Sequence, residues 1–179
     1  MRTTVGVAAL VSVLAFAGCT PDAVAPPPPP PSPVSQSPTE TARERQERLD
    51  YAAAEKAYRT FRAEYNRVLR AGGAEEPTKV MKATAQGQYL RAFTEVIRAY
   101  KSLGNRDTGP ERIRYVRYGG YTPDEVVLEV CEDSRGIRTL RPGSKPGRGE
   151  VRTAVLRVRH SDDGWRVSSG TGRKVDACA

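Results

Sequence analysis

The sequence is poor in the side chains that metal sites and catalytic sites commonly use. Among its 179 residues there is one histidine, His160, and there are three cysteines, Cys19, Cys131 and Cys178. Their positions give no zinc-ligand spacing, and no Cys-x-x-Cys pair is present to lower a thiol pKa. The chain also has no Gly-x-Ser-x-Gly elbow and no phosphate-binding loop. These absences predict a protein that is not an enzyme and that carries no metal or cofactor.

A hydrophobic run long enough to span a membrane is also absent. Residues 5–16 form an uncharged stretch of 12 residues, whereas a helix needs about 20 residues to cross the hydrocarbon layer. Arg2 precedes this stretch and small residues follow it, an arrangement typical of a secretion signal. The chain is therefore expected to be exported.

Residues 14–19, Leu-Ala-Phe-Ala-Gly-Cys, resemble a bacterial lipobox. In that class of signal a lipid is attached to the cysteine sulfur and a peptidase cuts before it. The resemblance implies a signal peptide over residues 1–18, lipid attachment at Cys19 and a location at the outer face of the cell membrane. The alternative is ordinary secretion, because cleavage after Ala17 of the Ala-x-Ala sequence would release a soluble protein.

The odd number of cysteines favours the lipid. Lipidation of Cys19 leaves Cys131 and Cys178, 47 positions apart, and an exported domain commonly pairs such cysteines. We predict a disulfide between them that stabilises the domain by about 2–4 kcal/mol.

Proline is concentrated after Cys19. Residues 20–38 hold nine of the fourteen prolines, six of them consecutive, and proline supports neither helix nor sheet pairing. We predict a disordered tether that spans roughly 60 Å when extended. The alternative is a ligand for an SH3 or WW module.

Residues 39–179 are long enough for one domain. Thr41-Ala42-Arg43-Glu44 is a capping box and predicts a helix that ends at Gly72-Gly73. A short helical turn is expected after Pro77, and a second full helix over residues 84–103. These helices come before any strand.

After Pro110, Ile113 and Tyr115 alternate with Arg112 and Arg114, which predicts a strand. Residues 126–131 are rich in β-branched side chains, which predicts a central strand. We expect turns at Gly119-Gly120 and Pro123-Asp124, and a loop over residues 141–149. A hairpin turn is expected at Asp162-Asp163-Gly164. Strands are predicted from Ile113, over 126–131, over 151–160 and from Trp165. Helices followed by hairpin strands indicate an α+β domain with an antiparallel sheet.

Short motifs accompany this order of elements. They are Ala57-Tyr58-Arg59-Thr60-Phe61, Ala83-Thr84-Ala85-Gln86-Gly87, Val130-Cys131-Glu132-Asp133, Asp163-Gly164-Trp165-Arg166-Val167 and the terminal Cys178. With the lipobox and the tether, they resemble small actinobacterial NTF2-like (cystatin-like) lipoproteins. The resemblance implies N-terminal helices packed on a curved antiparallel sheet with a conical pocket. Candidate pocket or core residues are Tyr58, Phe61, Tyr65, Phe93, Tyr100 and Trp165.

Two polar residues have competing interpretations. His160, at a strand end beside Asp162, is either a catalytic base or a solvated residue at a hairpin end, and we favour the second. Asp133 is either a pocket acid or a turn residue, and again we favour the second.

The basic charge is uneven. Residues 135–174 hold 11 basic and 3 acidic side chains, a net charge of +8, which equals the net charge of the whole chain. The candidate basic patch is Arg135, Arg138, Arg141, Lys145, Arg148 and Arg152. Such a patch would attract an anionic lipid surface or wall polymer, or it only solubilises the sheet. Export disfavours nucleic acid as the partner.

Two functional hypotheses follow from these features. The first is a membrane-anchored extracytoplasmic lipoprotein with a non-catalytic domain that binds an envelope protein or an anionic surface. The second is an NTF2-like enzyme or small-ligand carrier that uses the conical pocket.

Overall fold

The computed structural model describes residues 40–178, which form an α+β domain. Within that range the helices are α1 (Ala42–Arg70), α2 (Lys79–Thr84) and α3 (Gly87–Leu103). The strands are β1 (Arg106–Thr108), β2 (Arg112–Thr122), β3 (Glu125–Asp133), β4 (Arg138–Leu140), β5 (Gly147–Arg148), β6 (Val151–Ser161) and β7 (Gly164–Val175). The predicted signal peptide, the lipidated Cys19 and the tether lie outside the described residues.

Helix α1 begins at the predicted capping box. The Thr41 hydroxyl accepts a hydrogen bond from the Glu44 amide at 3.2 Å, and the Glu44 carboxylate accepts one from the Thr41 amide at 2.8 Å. These bonds satisfy amide groups that a helix start leaves unpaired. Farther along α1, Tyr58, Phe61 and Tyr65 are buried, so the predicted apolar stripe packs into the core.

Helix α3 begins later than predicted. The pattern placed its start near Thr84, but Thr84 ends α2. The next residue, Ala85, is extended and bridges to Val167 of β7, whose carbonyl accepts a bond from the Gln86 amide at 2.9 Å. This contact with the sheet interrupts the helix. The predicted end is confirmed, because Gly104 adopts the left-handed conformation that ends α3.

Four strands form the large sheet, which is antiparallel and has the order β2-β3-β6-β7. Strand β3 is central, as predicted, because it pairs with β2 on one side and β6 on the other. Its alternate residues Val126, Leu128 and Val130 are buried, as are Leu156 and Val158 of β6. The predicted class, helices packed on a curved antiparallel sheet, is confirmed.

The turn predicted at Gly119-Gly120 is wrong, because both glycines lie inside β2. The pairing of β2 with β3 is irregular between Tyr118 and Tyr121, as at a β-bulge. A Cβ on Gly119 would lie 3.1 Å from the Val127 side chain, so the glycine permits close packing across the sheet. The chain reverses instead at Pro123-Asp124, the other predicted turn.

A small antiparallel sheet, β1-β4-β5, was not predicted. Its last strand falls inside residues 141–149, so the loop prediction is wrong at Gly147–Arg148. Strands of two or three residues are too short to show an alternating pattern. The small sheet is held to α3 by Tyr100, whose hydroxyl donates to Asp107 at 3.0 Å and lies 3.3 Å from the Thr139 hydroxyl.

The two remaining cysteines meet at the large sheet. The sulfur atoms of Cys131 on β3 and Cys178 lie 2.01 Å apart, and the Cα atoms 5.9 Å apart. They are therefore a disulfide-capable pair that ties the end of the chain to the central strand. Formation of this bond in the exported protein stays a prediction.

Candidate binding surface

The six candidate pocket or core residues belong to the core. All six are buried in the core cluster or pack against it: Tyr58, Phe61, Tyr65, Phe93, Tyr100 and Trp165. The rings of Phe61, Tyr65 and Tyr89 surround Phe93 at centroid distances of 5.1, 4.7 and 4.6 Å. In the described part of the chain, aromatic side chains thus fill space between the helices and the sheet where the resemblance implied a pocket.

A buried ionic cluster lies beside these rings. Arg62 of α1 forms salt bridges with Glu111, just before β2, and with Glu132 of β3, the second with 3.2 Å between Nε and Oε1. The Tyr58 hydroxyl donates to Glu132 at 2.6 Å. Glu111 also accepts bonds from Asn66 at 2.6 Å and from Ser134 at 2.8 Å. The side chains of Arg62 and Glu111 are only 9% and 3% exposed, so their charges depend on one another.

The environment keeps these groups in fixed protonation states. Burial opposes the charge on Arg62, but attraction to Glu132 and Glu111 outweighs it and raises the guanidinium pKa. Burial also opposes ionisation of Glu111, yet Arg62 and the other two hydrogen-bond donors lower its carboxyl pKa. Burial, followed by the charge of Glu132, raises the pKa of the Tyr58 hydroxyl. The cluster therefore ties α1 to the sheet.

Asp133, the last residue of β3, is held by two arginines. Its Oδ2 accepts bonds from Arg114 at 2.7 Å and Arg135 at 2.9 Å, and Oδ1 accepts another from Arg135 at 2.9 Å. The bonds from Arg135 and then Arg114 lower the pKa of the Asp133 carboxyl. A carboxylate held in this way is a weak proton acceptor, which agrees with a structural role for Asp133.

Three exposed arginines lie on the outer side of the small sheet, and we call them the arginine face. They are Arg106 of β1, Arg138 of β4 and Arg148 of β5. In the register Arg138 lies directly opposite Arg148, whereas the alternate residues Asp107 and Thr139 point inward. Within residues 40–178, no carboxylate forms a salt bridge with any of the three arginines. Their positive charge is uncompensated by this part of the chain.

The six predicted patch residues divide into two groups. Four are exposed and form no salt bridge with a described residue: Arg138, Arg141, Lys145 and Arg148. The other two bind carboxylates, Arg135 to Asp133 and Arg152 to Glu150, each at 2.9 Å. Sequence reasoning missed Arg106, which the pairing of β1 with β4 brings into the same surface.

One exposed leucine lies beside these arginines, and another ends α3. Leu140 is 43% exposed and stands opposite Arg106 in the register. Leu103, 63% exposed, is the last residue of α3. A Cβ on the following Gly104 would lie 3.3 Å from Pro142, so the end of α3 contacts the segment that follows β4. The outer side of the small sheet therefore combines Leu140 with cationic side chains, whereas Leu103 belongs to α3, whose Tyr100 contacts the inward-pointing Asp107 and Thr139.

An open cleft of about 660 Å³ lies between the start of α1 and the turn that joins β2 to β3. It is lined by Arg43, Gln46, Asp50, Tyr121, Thr122, Pro123 and His160. The Tyr121 hydroxyl donates to Asp50 at 2.8 Å. His160 is exposed, and its ring lies 5.1 Å from that of Trp165. His160 therefore sits at an accessible hairpin end and also borders the cleft.

Metal and membrane-spanning features are absent from the described residues. No group of three or more His, Cys, Asp and Glu side chains there is placed to hold a metal ion. No helix of residues 40–178 has both the length and the apolar character needed to cross a bilayer.

The buried ionic cluster was missed from the sequence, although one signal was present. Arg62 follows Phe61 and stands four residues after Tyr58, so it lies beside the apolar stripe of α1. A charged residue at such a position is rarely buried without a partner. No local pattern identified Glu111 and Glu132 as its partners, because they lie 49 and 70 positions further along the chain.

Comparisons with known proteins give a likeness of fold alone. No protein-family model and no curated protein matches the chain. Among solved structures, a proposed dehydratase of the NTF2-like family from Streptomyces avermitilis is 16% identical, with a TM-score of 0.47, and the match covers 73% of this chain and 99% of that one. An NTF2-like protein with a cystatin-like fold from Novosphingobium aromaticivorans is 12% identical, with a TM-score of 0.44 and coverage of 79% and 94%. At these TM-scores the likeness carries no argument about function.

Proposed function

We propose that this chain is a lipid-anchored extracytoplasmic protein whose α+β domain is a non-catalytic module for binding an anionic surface. The observation that carries the proposal is the arginine face, where Arg106, Arg138 and Arg148 are exposed and form no salt bridge with a described residue. Opposed like charges on adjacent strands destabilise a sheet. An anionic partner would offset this cost.

The interior supports a binding role over catalysis. An acid–base site needs a group that can exchange a proton with a substrate. The candidates inside the domain are engaged with one another: Glu111 with Arg62, and Tyr58 with Glu132. Asp133 is likewise engaged with Arg114 and Arg135. Within residues 40–178, these groups therefore have partners inside the domain.

The membrane anchor rests on the lipobox over residues 14–19 and on the cysteine count. The proposal predicts that Cys19→Ala blocks lipidation and moves the protein from the membrane fraction to precursor or soluble forms. Cys178→Ala is the matched control, because it removes a cysteine outside the signal and should leave the protein at the membrane. Unchanged membrane retention of Cys19→Ala would overturn the anchor.

The binding role has a separate test. The chain lacking residues 1–38 should bind anionic material, either vesicles containing phosphatidylglycerol or isolated wall polymer, and the binding should weaken as salt is added. This shortened chain is suitable because Thr39–Ala179 forms a unit with its own core. Failure to bind either material at low salt would overturn the binding role.

A second candidate function, a small-ligand carrier or enzyme, is favoured by the cleft beside His160. Asp50, Tyr121 and Arg43 offer hydrogen-bonding and charged groups in the same cleft. A carrier of this kind should give ligand-induced chemical-shift changes confined to these side chains in a fragment screen by NMR. His160→Gln should abolish those changes, whereas changes elsewhere or none at all would reject this candidate.

A further inference from the structure

The outer side of the small sheet combines two kinds of side chain that rarely share a surface without a partner. Its five exposed residues are Arg106, Thr108, Arg138, Leu140 and Arg148. The register aligns Thr108, Arg138 and Arg148 in one row, and Arg106 and Leu140 in the next. A leucine is thus surrounded by arginines on a surface only three strands wide.

No described acidic side chain on the outer side of the small sheet balances the charge of these arginines. Asp107 is the one acidic residue of the three short strands, and it is buried and accepts bonds from Tyr100 and Thr139. Arg138 and Arg148 stand on neighbouring strands, where opposed side chains have Cβ atoms about 5 Å apart. The arrangement leaves guanidinium groups free for external phosphates, which arginine binds in a bidentate manner.

The exposed leucine favours a lipid surface as the partner. Leu140 is 43% exposed, and a soluble or wall-bound polyanion would leave it in water. At the surface of a bilayer it would enter the boundary between headgroups and acyl chains, while the arginines remain at the phosphates. A leucine flanked by arginines therefore fits a lipid surface better than a hydrated polymer.

We propose that the outer side of the small sheet docks on an anionic phospholipid bilayer. In this arrangement the arginine face binds lipid phosphates, and Leu140 enters the interface. The inference rests on the proposed function and names its anionic partner as lipid, not wall polymer. A tether to the same membrane would raise the effective concentration of the domain at the surface, so a weak intrinsic affinity suffices.

The first test measures co-sedimentation of the chain lacking residues 1–38 with two vesicle types. We expect binding to vesicles of phosphatidylglycerol mixed with phosphatidylcholine, and little binding to phosphatidylcholine alone. The triple variant Arg106→Gln, Arg138→Gln, Arg148→Gln should lower the apparent affinity at low salt by at least about tenfold, since each basic residue near such a surface contributes about fivefold.

A matched control removes the same charge from another place. Lys79, Lys82 and Arg91 are exposed on α2 and α3 and form no salt bridge with a described residue. Their triple change to Gln should lower the affinity far less than the change on the arginine face. Circular dichroism and thermal unfolding check that both variants are folded. Equal losses in the two triple variants would show that only net charge matters and would overturn the docking surface.

The second test concerns Leu140. Leu140→Gln should remove the part of vesicle binding that persists at high salt, because that part comes from apolar contact. Leu49→Gln is the control, since Leu49 is 50% exposed on α1 and should bind as the parent does. Binding at high salt that is unchanged in Leu140→Gln would overturn the insertion of this leucine.

Comparing binding to isolated wall polymer with binding to vesicles distinguishes the bilayer inference from the proposed function. If the domain binds isolated wall polymer and not vesicles, the proposed function stands and the bilayer inference is wrong. If it binds vesicles and the arginine-face variant loses that binding, both are supported. If it binds neither, both are wrong.

Discussion

The arginines of the large and the small sheet have different surroundings. On β6, Arg157 and Arg159 both bind Glu125 of the neighbouring strand, the second at 2.9 Å. On the small sheet Arg138 and Arg148 face each other, with no salt bridge to a described carboxylate. Both groups contribute equally to the net charge of residues 135–174. The charge available to a partner is therefore decided by pairing across strands, which a count of basic residues does not show.

Removal of the buried and paired Arg62 should have the largest effect on stability. Arg62→Leu would leave Glu111 and Glu132 without their counter-charge in the interior. We expect the free energy of unfolding to fall by about 3–5 kcal/mol, measured by urea denaturation. Arg59→Ala, one turn earlier on the exposed side of α1, removes a surface pair with Glu55 and should cost roughly 0.5 kcal/mol or less. Similar losses in both variants would contradict the assigned role of the cluster.

The predicted disulfide would link the end of the chain to the central strand of the large sheet, whereas the small sheet contains no cysteine. Replacing Cys131 and Cys178 with Ala should lower the free energy of unfolding by about 2–4 kcal/mol. Alkylation mass spectrometry without reductant tests the bond itself, and free thiols at both positions in exported protein would refute it. Reducing agent should destabilise the parent protein and leave the double variant unaffected.

Acidification should lower the stability of the fold by protonating carboxylates that are paired in the folded chain. The pKa of Glu111 is lowered below its ordinary value of 4.5 in the folded chain. Its ionised form therefore stabilises the fold above that value, and this contribution is lost as the pH falls through the folded-state pKa. Thermal unfolding across a pH series should show a loss of stability below about pH 4.5 in the parent and a smaller loss in Glu111→Gln. Glu95→Gln, on the exposed side of α3, is the control and should follow the parent.

Breaking the surface pairs of the large sheet should have little effect on stability. Glu125→Gln removes the partner of both Arg157 and Arg159, but the two arginines are exposed and Glu125 is partly exposed. We expect a change of at most about 1 kcal/mol in the free energy of unfolding, which added salt should diminish. A loss several times larger would mean that these pairs are as important as the buried cluster.

The smallest expected effect has the opposite sign. Arg148→Thr relieves the repulsion from Arg138 and places a strand-favouring residue on β5. The variant should be more stable than the parent at low salt, by roughly 0.2–1 kcal/mol, and the gain should shrink as salt is added. A destabilised Arg148→Thr would show that Arg148 stabilises the fold. That result would contradict the difference inferred between the arginines of the two sheets.

Local patterns predicted those elements that a short stretch of sequence specifies by itself. The capping box at Thr41 and the run of β-branched residues over 126–131 are signals of this kind, and both were confirmed. The start of α3 was misplaced because Ala85 pairs with a strand 82 positions away. The turn at Gly119-Gly120 was wrong because glycine also serves close packing in a bulge.

The candidate surface was predicted only in part, for a similar reason. Arg138 and Arg148 belonged to the predicted patch, and the disulfide-capable cysteines followed from their number. Arg106 lies 32 positions before Arg138, and only the pairing of β1 with β4 brings it onto the same surface. The sequence could not separate Arg135 and Arg152 from the other patch residues, because only the structure shows that these two are paired with carboxylates.

The hydroxyl of Tyr100 has a consequence for the motion of the small sheet. Strands of three, three and two residues have few ladder bonds, so their amides should exchange with solvent faster than those of β3. The contacts from Tyr100 to Asp107 and Thr139 slow this local opening by holding two of the strands to α3. Tyr100→Phe should therefore speed amide exchange in β1 and β4 while leaving β3 protected. Docking on a surface would in turn slow the exchange of the same amides.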